Sequence, residues 1–178
     1  MSQIGAIAVP PISRSKIRSI AHALRSHLQW EEPSFPIVEV MEHILPDLLS
    51  GYELQICDAD ELGVNHGLTS PDENIVRIRE DVYNRACEGA GRDRMTMAHE
   101  LGHLILHRDI GMARLPPDSV IPVYMDSEWQ ANCFGGELLI CATHIHICGD
   151  VTEIANCFGV STQAASTQWD QYKREAII

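Results

Sequence analysis

The 178-residue chain is short of basic residues: 13 Lys and Arg stand against 25 Asp and Glu, a formal net charge of −12 at pH 7. Phosphate binding needs a basic face, so direct nucleic-acid recognition is not expected, nor is docking to an anionic membrane. A protein partner with a basic face would instead be attracted to such a surface. No apolar run approaches the ~20 residues of a membrane helix. The apolar stretch Ile4 to Val9 has no basic segment before it and runs into Pro10-Pro11, a poor signal peptide, so a cytoplasmic location is expected. The six cysteines (57, 87, 133, 141, 148, 157) include no C-x-x-C pair. They read as free thiols rather than a disulfide framework.

What is present suits one domain spanning 1–178, with N-terminal helices over 1–50, a sheet and metal-site helices over 51–140, and a helical segment over 141–178. The hydrophobic fraction of 45% is that of an ordinary globular protein. Residues 14–30 place Ile17, Ile20, Ala21, Leu24 and Leu28 on one helical face. A second helix is expected from Ser34–Pro36 to Leu45, stopped at Pro46. Tyr52–Cys57 and Ile75–Arg79 alternate as strands. Asp58–Asp72, rich in Gly, Asn, Asp and Pro, reads as turns and loop. One of the two strands is expected at a sheet edge near the functional site, where an edge can pair with an extended peptide.

The chemistry concentrates in His99-Glu100-Leu101-Gly102-His103. Residues four apart on a helix lie on one face about 6 Å apart, so two imidazoles can hold one zinc ion at roughly 2.0–2.1 Å each. Glu100 points to the flank of that face, placed to act on a water rather than to bind metal. The plainer alternative is two polar residues on a packed helix, but a buried His-Glu-His cluster without metal carries a desolvation cost. Thr96 is the expected N-cap of this helix, which runs from Met97 to Arg108 with Gly111 past its end.

A third ligand must come from elsewhere. His107 lies about 12 Å along the axis from His99, too far to share an ion already held by His103, and reads as a structural or bracing histidine. The extended metzincin pattern would need Gly at 106 and His at 109; the chain has Leu106 and Asp109, which disfavours both that class and Asp109 as ligand. The next helix, with Ser127 as N-cap, offers Glu128 in its first turn, with Asn132 one turn later as a brace and Glu137 as the next choice of ligand. Two histidines, one carboxylate and an open fourth position make a catalytic rather than a structural zinc set. Gly135-Gly136 weakens that helix by on the order of 1 kcal/mol per glycine, tolerable if it permits close packing on the metal helix.

The run Arg92–His107, followed by Glu128–Leu139 and preceded by Ile78–Tyr83, resembles the ImmA/IrrE family of zinc metallopeptidases over roughly residues 50 to 172. The resemblance implies one Zn2+ ion held by His99, His103 and Glu128, with Glu100 as general base, in a compact zincin-like α+β fold with a small mixed or antiparallel sheet. It implies an endopeptidase whose protein substrate is a helix-turn-helix repressor. The alternative function is a non-catalytic zinc-containing module that binds and sequesters a repressor or antitoxin-type partner. The chain departs from the family pattern at Gly135-Gly136 and in ending Leu138–Cys141 without a proline, which concerns the pocket wall and not the ligands.

Two segments invite other readings. Cys141–Cys148 carries His144, His146 and Cys148, which on a strand would share a face but cannot easily converge on a second metal; a cleft wall is the better expectation. Tyr83, Tyr124, His144 and His146 are the candidate donors to a transition-state oxyanion. Residues 151–169 have helix–turn–helix character, with Gly159 at the turn and Ser161 capping the second helix. Having no Lys or Arg before Lys173, that second helix reads as packing for the peptidase core rather than as a DNA reader or a transcription factor's recognition element.

Overall fold

The computed structural model describes residues 7–110, 113–114 and 120–178. Gly111, expected past the end of the metal helix, and the start of the Ile4–Val9 stretch lie outside the described residues.

The elements run β1 (Ile7–Ala8), α1 (Arg14–His27), α2 (Ile37–Glu39), α3 (Leu45–Leu48), β2 (Glu53–Cys57), α4 (Ala59–Leu62), β3 (Gly67–Ser70), β4 (Ile75–Arg79), α5 (Glu80–Cys87), α6 (Gly91–Leu106), β5 (Ala113–Arg114), α7 (Ser127–Leu139), α8 (Val151–Phe158) and α9 (Thr162–Arg174). They form the expected α+β arrangement. A three-stranded mixed sheet has the order β2-β4-β3, with β2 and β4 parallel and β3 antiparallel to β4. Helix α6 lies against it, and α7 packs on α6.

The core is continuous from the sheet through α6 and α7 to the C-terminal pair. Ile78, Met97, Leu101, Leu104, Phe134, Leu138, Phe158 and Tyr172 are all fully buried within it. Three buried polar side chains tie the outer helices to this core. Arg94 on α6 donates to the carbonyls of Phe158 and Phe35. Arg25 on α1 donates to the carbonyl of Leu138. Glu137 accepts from Arg14, Arg18 and Tyr172, so the next-choice metal ligand is spent on a structural ion-pair cluster.

Several boundaries differ from those expected. Pro46 does not stop the second helix: α2 and α3 are joined by a π-turn over Val40–Ile44. There Leu45 N donates to Val40 O, five residues back. A proline ring clashes with the carbonyl four residues before it and needs no donor bond, and the widened turn relieves both. Thr96 is not an N-cap. Helix α6 begins at Gly91 after Ala90, and the Thr96 hydroxyl bonds back to Arg92 O at 3.3 Å. The α7 cap is Asp126, whose side chain accepts from the N–H groups of Glu128 and Trp129, with Ser127 already helical. The span 58–72 is not only loop: it contains one turn of helix and the strand β3. That strand is short, glycine-led and exposed at Leu68, so it shows no alternation to read.

Gly102 fixes the distance between the two central helices. A Cβ there would stand 3.0 Å from Ala131 O and 3.1 Å from Ala131 Cα, backbone atoms of α7 that cannot yield without moving the helix. Gly135 meets α6 from the other side at Met95, whereas Gly136 faces Gln168 of α9. Half of the glycine pair therefore serves the α6 contact and half the C-terminal helix. Gly102→Ala gains up to about 1 kcal/mol of helix propensity but overpacks this contact at about 1–3 kcal/mol. The expected outcome is a melting temperature lowered by a few degrees. An unchanged or raised value would show that α7 can retreat freely.

Candidate metal centre

Helices α6 and α7 run antiparallel, so the first turn of α7 meets the last turns of α6. This sets Glu128 opposite the histidine pair. His99 Nε2 and His103 Nε2 are 3.0 Å apart. One Glu128 oxygen lies 3.2 Å from His99 Nε2 and the other 3.3 Å from His103 Nε2. One ligand atom from each of the three residues falls within 4.8 Å of the others, the single such three-residue group found among the described residues. Asp109 and Glu137 are not in it.

The protonation of the two imidazoles follows from what holds their far sides. His99 Nδ1 is 3.0 Å from Asn132 Oδ1, an acceptor, so this nitrogen carries the proton and Nε2 presents a lone pair. The argument for His103 is longer and starts at the chain's N-terminal end. Strand β1 pairs antiparallel with β5 and bridges to Asp126, holding Pro10 beside α7. The buried amide of Gln130 donates through Nε2 to Pro10 O at 2.9 Å and Tyr124 O at 2.8 Å. That orientation leaves Gln130 Oε1 facing His107 Nε2 at 3.1 Å, so His107 donates from Nε2. Burial pushes the His107 imidazole down to about 4, and at neutral pH it is uncharged with a free lone pair on Nδ1. His103 Nδ1, 3.0 Å away, must donate to it. In the neutral rings, His103 Nε2 is then an acceptor, like His99 Nε2.

Two imidazole lone pairs and a carboxylate thus converge on one point, with the opposite side of each ring hydrogen-bonded. This donor set fits a zinc ion, whose catalytic sites take three N or O ligands and whose histidines are oriented by such outer partners. Protonated on Nε2, His103 and His99 donate to Glu128, and this pairing holds Glu128 well below the usual carboxylate range. Burial opposes charge on His99, but the Glu128 hydrogen bond and the nearby carboxylates outweigh it and raise its pKa.

Glu100 lies to the side of this point. Its carboxylate accepts from Thr69 Oγ1 at 2.6 Å, and the same hydroxyl is 3.1 Å from Glu100 O. Burial raises the Glu100 pKa, with the Thr69 hydrogen bond opposing. Gly67 makes the space: a Cβ there would stand 2.7 Å from Glu100 Cγ. The strand edge beside the site is therefore β3. Neither strand read from the sequence occupies that place, since β4 is central and β2 lies on the far edge.

A cleft of about 780 Å³ opens from this centre toward α9. His99, Glu100, Trp129 and Asn132 line one end, with His66 and Gly67 from the approach to β3. None of the four expected oxyanion donors lines it. Tyr83 donates to Glu42, Tyr124 is half-exposed before α7, and His144 lines a separate cavity with His22, Arg25 and Trp30. His146 lies in a 3-10 turn over Ile145–Ile147, so the imagined strand face does not form. His66 does line the cleft, and its buried Nδ1 has no hydrogen-bond partner among the described residues. His66, Thr69 and Gln130 carry no motif, and nothing in their spacing marked them.

The Peptidase_M78 family, described as the IrrE N-terminal-like domain, matches residues 61–169, well over half of the chain. The chain belongs to that family. Membership makes this a metallopeptidase-type domain, and the matched span holds both α6 and α7 with their converging side chains. It agrees with the resemblance seen in the sequence, from a start some residues later. A comparison with curated proteins returned no match.

Asn132→Ala tests the brace with little risk to the fold, because the side chain is exposed. Zinc affinity by titration calorimetry is expected to fall about 10-fold or more, with the melting temperature of the metal-free protein unchanged. Equal affinity in the variant would show that Asn132 does not orient His99.

Proposed function

We propose that this member of the family is a zinc-dependent endopeptidase that cuts a protein substrate, with a helix-turn-helix repressor as the substrate class. The observation that carries the reading is the placement of Glu100, buried, hydrogen-bonded by Thr69 and lining the cleft beside His99. A purely structural metal site has no use for a free carboxylate at that position.

His99, His103 and Glu128 would hold the ion. Zinc supplies Lewis acidity, which makes a water a nucleophile at neutral pH and polarises the scissile carbonyl. Glu100 accepts the proton released from the attacking water and returns it to the leaving nitrogen. Its raised pKa suits the accepting half of that task, since a buried carboxylate is a stronger base toward the proton of water than one at its ordinary value. Thr69 keeps the Glu100 carboxylate from rotating away. To His66, which lines the cleft beside Gly67, we assign donation to the carbonyl oxygen as charge develops there. The exposed edge of β3 offers main-chain hydrogen bonds to an extended substrate segment.

Zinc-loaded protein incubated with the product of a neighbouring repressor gene should yield two fragments by mass spectrometry. Glu100→Gln should lower the rate by about 10²–10⁴-fold, and a chelator should abolish it until zinc is restored. If wild type and Glu100→Gln are equally inert while both bind the repressor, the sequestering module replaces the peptidase. Gly67→Ala should retain zinc but displace the Glu100 carboxylate, with activity reduced on the order of 10²-fold.

A further inference from the structure

The charge of the cleft is opposite to that of the chain. Of 25 Asp and Glu residues, Glu100 alone lines the cleft among the described residues, whereas Arg14, Arg92 and Arg174 all do. Arg14 is committed to the buried carboxylate of Glu137. Arg92 and Arg174 are exposed and form no salt bridge among the described residues.

Their places in the fold are set by α6 and α9. Arg92 precedes His99 by two helical turns on the same face of α6, about 10 Å along the axis. Helix α9 forms the far wall and presents Gln163, Thr167, Gln171 and Arg174 to the cleft, positions that recur at helical spacing. The residue before Arg92, Gly91, lies against Val160 and Ser161 at the start of α9, whereas Arg174 ends it. Arg92 and Arg174 are therefore rooted near opposite ends of a wall about 18 Å long, separated by uncharged side chains that can donate and accept hydrogen bonds.

We propose that this cleft receives an acidic peptide segment. The occupant is an extended stretch of the protein substrate with one Asp or Glu against Arg92 and a second against Arg174. At ~3.3 Å per residue, Arg92 meets a side chain about three residues from the scissile bond, and the two acidic positions are about five residues apart. Guanidinium–carboxylate pairs supply the charge-assisted bonds, and the amide and hydroxyl groups of α9 satisfy the main chain between them. The general acidity of the protein sharpens the choice: its surface repels an acidic partner as a whole, so only a partner that is basic or neutral elsewhere brings such a segment to the arginines. This inference rests on the peptidase reading for the identity of the segment as substrate, but the binding it predicts does not require hydrolysis.

The test uses the zinc-loaded full chain carrying Glu100→Gln and fluorescent Gly-Ser peptides with two glutamates about five residues apart, or with glutamine or lysine in their place. Anisotropy should show the glutamate peptide binding about tenfold more tightly than the glutamine peptide, with lysine weakest. The double variant Arg92→Glu, Arg174→Glu should reverse that order at an unchanged melting temperature. Equal binding of the three peptides, no binding of the glutamate peptide at millimolar concentration, an order that survives the charge reversal, or tighter binding of a single-stranded oligonucleotide would each overturn the proposal. Should the glutamate preference hold and reverse as expected while wild type cleaves no repressor, the acidic docking cleft stands and the peptidase reading alone fails.

Discussion

The close approach of α6 and α7 at Gly102 is the constraint on which the rest of the site depends. A two-histidine helix can offer an ion only one side of its coordination shell, and the remaining ligand must come from a second element held at fixed distance and register. Gly102 lets the Ala131 backbone lie where a side chain would otherwise stand. In that register Glu128 falls opposite His99 and His103, Asn132 falls on His99, and Gln130 turns inward to His107. A translation of α7 by one residue would rotate its positions by about 100°, given 3.6 residues per turn, and all three relations would be lost together. The site is thus one property of one helix pair rather than a set of independent placements.

From the same contact follows the way the imidazoles are set. His107, excluded as a ligand by its distance along the helix, has a role that distance alone does not disclose. It is uncharged because it is buried, and its orientation is read from Gln130, whose amide is in turn read from two main-chain carbonyls. Backbone carbonyls can only accept, so the direction of every hydrogen bond in the series is determined from its far end. The lone pair on His103 Nε2 is consequently imposed by Pro10 and Tyr124, residues with no metal-binding chemistry of their own. This also gives the two-residue strand β1 a purpose beyond closing a sheet, since it carries Pro10 to its place.

How much of this could be read from the chain depends on how local each relation is. The pair of histidines, the adjacent carboxylate, the turn at Gly159 and the cap at Ser161 are patterns within a few residues, and each is where the sequence puts it. Glu128 is legible as a first-turn carboxylate because Asp126, Ser127 and the apolar face behind them announce a helix. β3 is not legible: Gly67 is there to clear Glu100, Thr69 to bond it and Leu68 is exposed, so site requirements replace the alternation that identifies a strand. Pro46 misleads for a related reason, since the rule that proline ends a helix presumes α-helical spacing, and the π-turn before it alters that spacing. Gln130 and the arginines of the cleft are ordinary in sequence; their meaning comes from residues more than a hundred positions away or from helices that meet only in three dimensions.

Net charge illustrates the same limit in a form that bears on recognition. A value of −12 describes the field felt by an approaching partner at a distance, and it favours one with a basic face. Within a Debye length, about 8 Å at physiological salt, the nearest groups decide instead, and in the cleft those are guanidiniums, amides and hydroxyls. The far field and the near field therefore select for different parts of the same partner. The proposed substrate class is compatible with both: a DNA-binding protein carries basic surface by necessity, which meets the first, and an acidic stretch between its elements would meet the second. The C-terminal helix pair contributes to this through the exposed face of α9. Its resemblance to a DNA-reading unit ends where Gln163, Thr167 and Gln171 turn toward the cleft.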